Sequence, residues 1–313
     1  MSSPSLNKVS IVSTLYQSSA YINEFVERAS LAATQLALDY EIILVNDGSP
    51  DNSLEKAIIH AENNPHVKVI DLSRNFGHHK AMMTGLAHAS GDLIFLIDSD
   101  LEEEPEWLNR FYGRLTSEHC DVVYGVQEAR KGGLVERITG QWFYPLFRTL
   151  TGLSLPENIV TARLMTRRYV DSLLAHEERE VFMAGLWYIT GYRQVAEVIK
   201  KHSTSESTYT FRRKMSLLVN SVTSFSNTPL IGIFYVGISI SALASLYIAY
   251  LAVQWLFLTR PLSGWTSVMA SIWLIGGLII SFIGVVGIYL SKIFSEVKRR
   301  PYTIVRRVYE SKK

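Results

Sequence analysis

Two aspartates separated by one serine, Asp98 and Asp100, are the strongest candidates for chemistry in this sequence. They follow an apolar run, 93–97, with the composition of a buried strand, so both carboxylates are expected to leave a sheet edge close together. Neighbouring carboxylates repel each other, and a hard divalent cation such as Mg²⁺ or Mn²⁺ relieves that repulsion. We predict a metal site here, in which the ion also offsets negative charge on a departing diphosphate.

Two further polar clusters, 46–51 and 73–77, each follow an apolar run directly. In the first, Asp47 is placed to hydrogen-bond a base or a ribose. The second carries Arg74 and Asn75, a cation and an amide that suit phosphate or ribose. A solvated surface arginine is the alternative interpretation of Arg74. Together the clusters predict a nucleotide-binding edge beside the metal site.

Short apolar runs alternate with helical patterns through the first half of the chain, which predicts an α/β fold with a doubly wound, mostly parallel sheet. Such sheets bind ligands at the carboxyl ends of their strands, where the polar clusters lie. The predicted strands are 9–15, 41–45, 67–72, 93–97 and 122–126, and the predicted helices include 19–38, 52–63 and 80–89.

The composition changes abruptly near Pro229. Segments 230–258 and 268–291 contain no charged residue, and a spanning helix needs about 20 such residues, so two transmembrane helices are predicted. Buried core helices are the alternative. The connecting loop has one basic residue, Arg260, whereas the tail after 291 is strongly basic, which predicts cytoplasmic termini.

The overall composition excludes several classes. The 313 residues include 31 Lys and Arg against 29 Asp and Glu, which gives no support to nucleic-acid binding. Cys120 is the single cysteine, so a disulfide framework is excluded and a cytosolic catalytic part is favoured. The polar segment 1–8 predicts no cleavable secretory signal. A dinucleotide-binding or P-loop enzyme is disfavoured because no Gly-rich loop follows the first strand.

The ordered motifs of the first half resemble those of family 2 glycosyltransferases, and the later motifs resemble the polyprenyl-phosphate glycosyltransferase group of that family. That group includes dolichol-phosphate mannose synthase and the bactoprenol glucosyltransferases. The resemblance implies a GT-A fold for the catalytic half. Its motifs are 9–16, 45–49, 74–77 and 98–101, followed by 182–186, 191–193, 209–214, 224–230 and the paired apolar segments.

The resemblance implies an inverting transfer of a sugar from a nucleotide sugar, with UDP favoured, to polyprenyl (undecaprenyl) phosphate for modification of cell-envelope glycan or glycolipid. It also implies a homo-oligomer in the bacterial inner membrane and a metal held by Asp98, Asp100 and Glu102. The residues expected at the nucleotide are Leu15, Tyr16, Asp47, Arg74, Asn75 and Ser99.

The chain departs from the family pattern around the expected donor site, at Gln17, Glu102, Gln127 and Thr161. These changes predict an unusual donor sugar or reduced activity. A non-catalytic membrane scaffold that binds a nucleotide sugar is the alternative function, which the pair of aspartates disfavours. A processive polysaccharide synthase is disfavoured because its Gln-x-x-Arg-Trp motif is absent.

The expected organisation is a catalytic domain at 1–208, an amphipathic juxtamembrane helix at 209–229, a transmembrane hairpin at 230–291 and a basic tail at 292–313. The basic cluster of the juxtamembrane helix is expected to hold the acceptor phosphate, with attraction to anionic headgroups as the alternative. The predicted contacts to the diphosphate or to the acceptor phosphate are Arg130, Arg137, Arg212, Arg213 and Lys214.

Overall fold

The computed structural model describes residues 8–36, 39–127, 145, 148–152, 156, 158–200, 219, 222–257 and 264–311. The chain forms two compact units. A sheet unit comprises Met1–Tyr144, Ser154–Tyr209 and Arg300–Lys313, and a helical unit comprises Pro145–Leu153 and Thr210–Arg299. The sheet unit is therefore assembled from segments on both sides of the helical unit in the sequence.

The sheet unit contains eight described strands in the order β7-β5-β6-β4-β1-β2-β3-β8. The strands are β1 Lys8–Leu15, β2 Asp39–Asn46, β3 Val67–Leu72, β4 Leu93–Leu96, β5 Val122–Gln127, β6 Ile159–Thr166, β7 Gln194–Ile199 and β8 Val305–Glu310. The helices of this unit are α1 Ile22–Gln35, α2 Ser53–Asn63, α3 His78–His88, α4 Trp107–Glu118, α5 Arg167–Leu174 and α6 Met183–Ile189.

All five predicted strands are present, and four of them form the parallel half of the sheet. Strand β1 pairs in parallel with β2 and β4, and β2 pairs in parallel with β3. Their residues are almost fully buried because helices cover both faces, as the near-continuous apolar runs predicted. The carboxyl ends of these four strands therefore lie along one edge.

The other half of the sheet differs from the predicted, mostly parallel arrangement. Strand β6 pairs antiparallel with β4 and β5, whereas β7 pairs in parallel with β5. The sheet is thus mixed. The prediction of parallel strands was correct for the half formed by β1 to β4, whose carboxyl ends carry the polar clusters. Strand β6 escaped prediction because Thr161 and the fully buried Arg163 interrupt its apolar pattern.

Strand β8 follows the helical unit in the sequence and returns to the sheet. It pairs antiparallel with β3, and Tyr309 packs against the hydrophobic core. The segment before it is held by a hydrogen bond between Thr303 Oγ1 and Thr84 Oγ1, 2.8 Å apart. Much of the stretch predicted as a basic tail, 292–313, is therefore structured.

The helical unit contains α7, Thr228–Phe257, and α8, Trp265–Val297. Over the residues for which helices are described, only Ser271–Val297 is long and apolar enough to cross a membrane. Thr228–Ala244 is apolar but shorter. The predicted pair of spanning helices is thus supported for its second member only.

Glu41 on β2 is a buried carboxylate that stabilises the sheet near the amino ends of its strands, at the edge opposite the polar clusters. It accepts hydrogen bonds from Ser10 Oγ and Ser90 N, both at 2.6 Å, and from Lys8 Nζ at 3.1 Å. Burial raises the pKa of Glu41, but the hydrogen bonds from Ser10 and Ser90 outweigh it and hold the pKa below its usual value. The ionised carboxylate is therefore the form that the fold stabilises.

We expect Glu41→Gln to lower the free energy of unfolding by about 2 kcal/mol at neutral pH, because an amide group cannot replace a carboxylate that only accepts hydrogen bonds. The folded-state pKa is depressed, so this stabilisation is present above the unfolded-state pKa and is lost as the pH falls through the folded-state value. Urea unfolding of both proteins should show the difference shrinking in acid.

The matched control is Glu24→Gln, because Glu24 is exposed and forms an ion pair with Arg28 one helical turn away. Its effect should stay below about 0.5 kcal/mol. A Glu41→Gln difference that is the same at neutral and acid pH would contradict the role of the ionised carboxylate.

Candidate active site

The segments after β1 and β2 are tied together by short hydrogen bonds. Asp47 N donates to Leu15 O at 3.0 Å, and Gln17 N donates to Ser49 Oγ at 2.7 Å. Asp51 accepts from Ser49 Oγ at 2.5 Å and from Ser19 N at 3.1 Å. Burial raises the pKa of Asp51, but these bonds and those from Ser53 outweigh it and lower the pKa well below its usual range. The two segments thus form one rigid support.

Asp47 joins this support to the segment after β3. Its carboxylate is buried, with Oδ1 accepting from Phe76 N at 2.7 Å and Oδ2 accepting from Gly77 N at 3.0 Å. Burial raises the pKa of Asp47, although the two N–H groups oppose the shift. Asp47 therefore braces the loop that carries Arg74, a structural role that the sequence did not predict.

Gly48 lies where the two loops come into backbone contact. Its φ is +60°, and a Cβ atom at this position would lie 2.5 Å from Asn75 N and 2.6 Å from Arg74 C. Only glycine fits both the conformation and the space. The contact fixes the backbone from which the exposed side chains of Arg74 and Asn75 project, and the Arg74 guanidinium lies 4.2 Å from the centre of the Phe76 ring.

The predicted nucleotide residues divide into two groups. Tyr16, Arg74 and Asn75 have exposed side chains at the sheet edge, where a ligand can contact them. Leu15 belongs to the hydrophobic core, and Ser99 is buried with Oγ donating to Thr14 O at 2.9 Å. Leu15 and Ser99, like Asp47, therefore support the edge from beneath.

The segment after β4 carries Asp98 and Asp100. Asp98 is 21% exposed, and its Oδ1 lies 3.4 Å from His78 Nε2. The other ring nitrogen of His78 is 2.9 Å from Thr14 Oγ1, so the imidazole is held between β1 and the carboxylate. Asp100 Oδ1 accepts from Glu102 N at 3.0 Å, which closes the turn after the two aspartates.

Glu103 connects this turn to the antiparallel half of the sheet. It is fully buried, with Oε1 accepting from Thr161 N at 3.0 Å and Oε2 lying 3.4 Å from Asp98 N. The backbone of Asp98 is therefore positioned from β6 as well as from β4. Glu103 has this bridging role, whereas the sequence had singled out the neighbouring Glu102 as a metal ligand.

Asp98 and Asp100 are the expected metal ligands, and the described side chains around them do not complete a metal site. In the described part of the chain, no three His, Cys, Asp or Glu side chains are grouped to hold a metal, so Asp98, Asp100 and Glu102 do not form a complete site. Mg²⁺ is commonly held by one or two carboxylates together with water and substrate phosphates. The two aspartates therefore suit a divalent ion that binds together with a diphosphate.

A cavity of about 330 Å³ lies beside His78. Two of the positions at which the sequence departs from the family pattern, Gln127 and Thr161, contribute to its walls. Burial lowers the pKa of the neighbouring His79, which favours a neutral ring. The volume suits a small ligand. The lining consists of His78, His79, Met82, Glu103, Gln127, Asn158, Ile159, Val160, Thr161, Phe182, Met183, Ala184 and Trp187.

The predicted phosphate contacts lie outside the described residues. These are Arg130, Arg137, Arg212, Arg213 and Lys214.

Comparison with known protein families identifies the family to which this chain belongs. The family model for glycosyl transferase family 2 matches residues 10–174, which include most of β1, all of β2 to β6, and the residues of the edge described above. The chain belongs to glycosyl transferase family 2. The resemblance drawn from the ordered motifs is confirmed, and the mixed sheet is that of a GT-A-like family 2 transferase.

Two relatives extend the family 2 likeness over nearly the whole chain. A protein of Mycobacterium tuberculosis (strain CDC 1551 / Oshkosh), described as putative glycosyltransferases, is 51% identical over 97% of this chain and 89% of its own length. A prophage-derived bactoprenol glucosyl transferase of Shigella flexneri is 30% identical over 96% of this chain and 98% of its own length. These relatives support the polyprenyl-phosphate group within the family.

A solved structure shares the fold. It is that of a mycobacterial protein with a TM-score of 0.50 and 17% identity, and the match covers 70% of this chain and 75% of that one. At this identity the likeness concerns the fold alone.

Two residues of the candidate site, His78 and Glu103, were not predicted from the sequence. His78 follows the motif that ends at Gly77, and a signal was available there, because two successive histidines begin a helix at a strand end. Glu103 lies in an acidic stretch in which Glu102, Glu103 and Glu104 are chemically alike. Only the partner on β6 distinguishes Glu103 from its neighbours.

Proposed function

We propose that the protein transfers one sugar from a nucleotide sugar to a polyprenyl phosphate at the cytoplasmic face of a membrane. The observation that carries the proposal is the convergence of Asp98 and Asp100 with the exposed Arg74 and Asn75 on one sheet edge, beside a cavity for a small group. The near-full-length likeness to a bactoprenol glucosyl transferase supports the lipid acceptor.

In the proposed mechanism, Tyr16, Arg74 and Asn75 bind the nucleotide diphosphate. Asp98 and Asp100 hold Mg²⁺ or Mn²⁺, which would stabilise negative charge on the leaving diphosphate. His78, between Thr14 and Asp98, keeps the Asp98 carboxylate facing the site. The cavity beside it receives the sugar and excludes water from the anomeric carbon.

The acceptor needs little activation. A phosphate monoester has a second pKa of about 6, so polyprenyl phosphate is largely dianionic at neutral pH. Its oxygen attacks the anomeric carbon from the face opposite the departing diphosphate, which inverts the configuration. The protein must align the two substrates and reduce their mutual repulsion. The cations proposed for the acceptor are Arg212, Arg213 and Lys214, and Arg130 and Arg137 are proposed for the diphosphate.

We also propose that α7 and α8 both cross the membrane. Strand β8 pairs with β3, so residues on both sides of the helical unit in the sequence belong to one sheet and must lie on one side of any membrane. An even number of crossings between β7 and β8 is therefore required. If Ser271–Val297 spans, a second crossing within the same interval follows, and α7, with 30 residues, is long enough to supply it. The basic tail supports the cytoplasm as that side.

The decisive experiment offers the purified protein undecaprenyl phosphate and a panel of UDP-, GDP- and dTDP-sugars, with Mg²⁺ or Mn²⁺. We expect one donor, a UDP-sugar, to yield free nucleotide and a glycolipid in equal amounts. A protein that binds a nucleotide sugar but releases no nucleotide with any acceptor would be the non-catalytic scaffold instead.

We expect Thr161→Ala to reduce the rate by no more than about tenfold, because the acceptor phosphate supplies its own charge and needs no carboxylate base at this position. The hydrogen bond from Thr161 to Glu103 uses the backbone N–H and survives the substitution. The measurement is a pH–rate profile of both proteins with saturating metal. Activity should fall in both as the pH drops through the phosphate pKa of about 6.

A loss of a thousandfold or more in Thr161→Ala, with folding and nucleotide binding intact, would show that the Thr161 hydroxyl takes part in the reaction. The conservative variant Thr161→Ser retains the hydroxyl. It should restore activity if the hydroxyl takes part in the reaction, and it should not if the loss comes from the missing methyl group.

A further inference from the structure

Strand β8 carries a cation, Arg306, that contacts the end of β3 next to the proposed nucleotide site. Along its pairing with β3, Asp71 faces Arg307 and Leu72 faces Val305, so Arg306 is the extra residue of a β-bulge. Bulges redirect side chains at sheet edges. Here the Arg306 guanidinium is directed to β3, with Nη1 3.4 Å from Asp71 Oδ2.

Asp71 depends on this cation. Its side chain is 1% exposed, and Oδ2 accepts no hydrogen bond within the described residues. A buried carboxylate without a compensating partner is costly, so the Asp71 side chain is expected to reorient when its cation is removed. Arg306 therefore holds the Asp71 carboxylate in its present orientation.

The Asp71 carboxylate in turn determines how Asn46 is oriented. Asn46 Nδ2 donates to Asp71 Oδ1 at 2.8 Å, and Asn46 Oδ1 accepts from Ser49 N at 3.2 Å. The assignment of the amide is chemically forced, because a carboxylate only accepts and a backbone N–H only donates. Asn46 thus links Asp71 to the turn that contains Asp47 and Gly48.

Arg306 also contacts the second loop of the site directly. Its Nη2 donates to Ser73 O at 2.7 Å, and Ser73 N donates to Ile304 O at 2.9 Å. Ser73 immediately precedes Arg74 and Asn75, the exposed residues proposed to bind the nucleotide. One guanidinium therefore supports both loops, one through Asp71 and Asn46 and the other through Ser73.

We propose that Arg306 is a positioning residue for the nucleotide site, so that donor binding depends on the docking of the strand that follows the apolar helices. The inference rests on the proposed function, because it assumes that the two loops bind the donor nucleotide. Linkage makes the dependence reciprocal, so nucleotide binding must also stabilise the docked strand.

The test compares the full-length parent with Arg306→Ala, Arg306→Lys and Arg307→Ala in detergent, using UDP, GDP and dTDP with Mg²⁺ as probes. Arg307→Ala is the matched control, because this substitution removes the same charge one residue away. The Arg307 guanidinium lies 4.9 Å from the centre of the Tyr309 ring. For the nucleotide that the parent binds best, Arg306→Ala should raise Kd about fivefold, with partial rescue in Arg306→Lys and no change in Arg307→Ala.

Two further measurements separate positioning from a loss of fold. With an active donor, Arg306→Ala should raise KM for that donor and leave kcat within about twofold. The double variant Arg306→Ala with Asn46→Ala should lose less affinity than the product of the two single losses, because both act through Asp71. All binding is measured well below the unfolding temperature of each variant.

Equal Kd values for Arg306→Ala and Arg307→Ala would overturn the inference, and so would losses that multiply fully in the double variant. A parent that binds none of the three nucleotides would overturn the proposed function and this inference with it. Hydrogen exchange adds an independent readout, because saturating nucleotide should slow exchange in 305–310 of the parent and not of Arg306→Ala.

Discussion

Asp98→Asn and Asp100→Asn are each expected to abolish sugar transfer, with a loss of about a thousandfold or more. Asparagine has nearly the same shape as aspartate but lacks the charge that holds a divalent ion. No third ligand is grouped with the two aspartates among the described side chains, so loss of either carboxylate should leave a bound ion weakly held. The measurement is nucleotide release and glycolipid formation with saturating donor, acceptor and metal.

The matched control for these variants is Asp171→Asn, an exposed position on α5 whose carboxylate is 3.6 Å from Arg167. It should keep the parental rate, and EDTA should inactivate the parent. Near-normal activity in either Asp98→Asn or Asp100→Asn, or an EDTA-resistant parent, would show that the reaction does not use a metal at this position.

Gly48→Ala is expected to weaken nucleotide binding by about a hundredfold or more, because the new methyl group would meet backbone atoms on the other loop. The positive φ adds strain, and the contacts at 2.5 Å and 2.6 Å cannot be relieved by moving a flexible side chain. The loops must separate, which disturbs the hydrogen bonds that Phe76 N and Gly77 N donate to Asp47. Binding of UDP, GDP and dTDP with Mg²⁺ measures the effect.

Two alanine variants divide this effect into its parts. Gly113→Ala on α4 meets nothing within 4 Å and should leave binding unchanged. Gly77→Ala imposes a φ of +100° without a close contact, so it reports the cost of strain alone. Circular dichroism shows whether each variant is folded. Parental affinity in a folded Gly48→Ala would contradict the tight contact between the loops.

The parallel half of the fold was predictable because each of its strands is buried on both faces and therefore mainly apolar. The predicted runs agree with β1 to β4, and with β5 in the other half, to within two residues at each end. Strand β6 was not predictable in this way. Arg163 is fully buried on β6, with its guanidinium carbon 2.9 Å from the centre of the Trp187 ring. Because Trp187 lies far from Arg163 in the sequence, no local pattern indicates that this cation is buried.

The candidate site shows the same division between local and long-range information. Asp98, Asp100, Arg74 and Asn75 were predictable because strand ends at one edge bring such residues together. The interactions that hold them were not, since the bond from Thr161 to Glu103 joins positions 58 residues apart. Residues that brace a site have ordinary types and are recognised only by their partners in the fold.

The pairing of β8 with β3 determines when the sheet can be completed during synthesis. Lys68 lies opposite Glu310, so the edge partner of β3 leaves the ribosome after both apolar helices. Until then β3 is an open edge, with unpaired backbone groups that can pair with other chains. In the proposed arrangement with two spanning helices, both helices can enter the membrane before this edge closes, and a chain that stops before 305 keeps β3 as an open edge prone to aggregation.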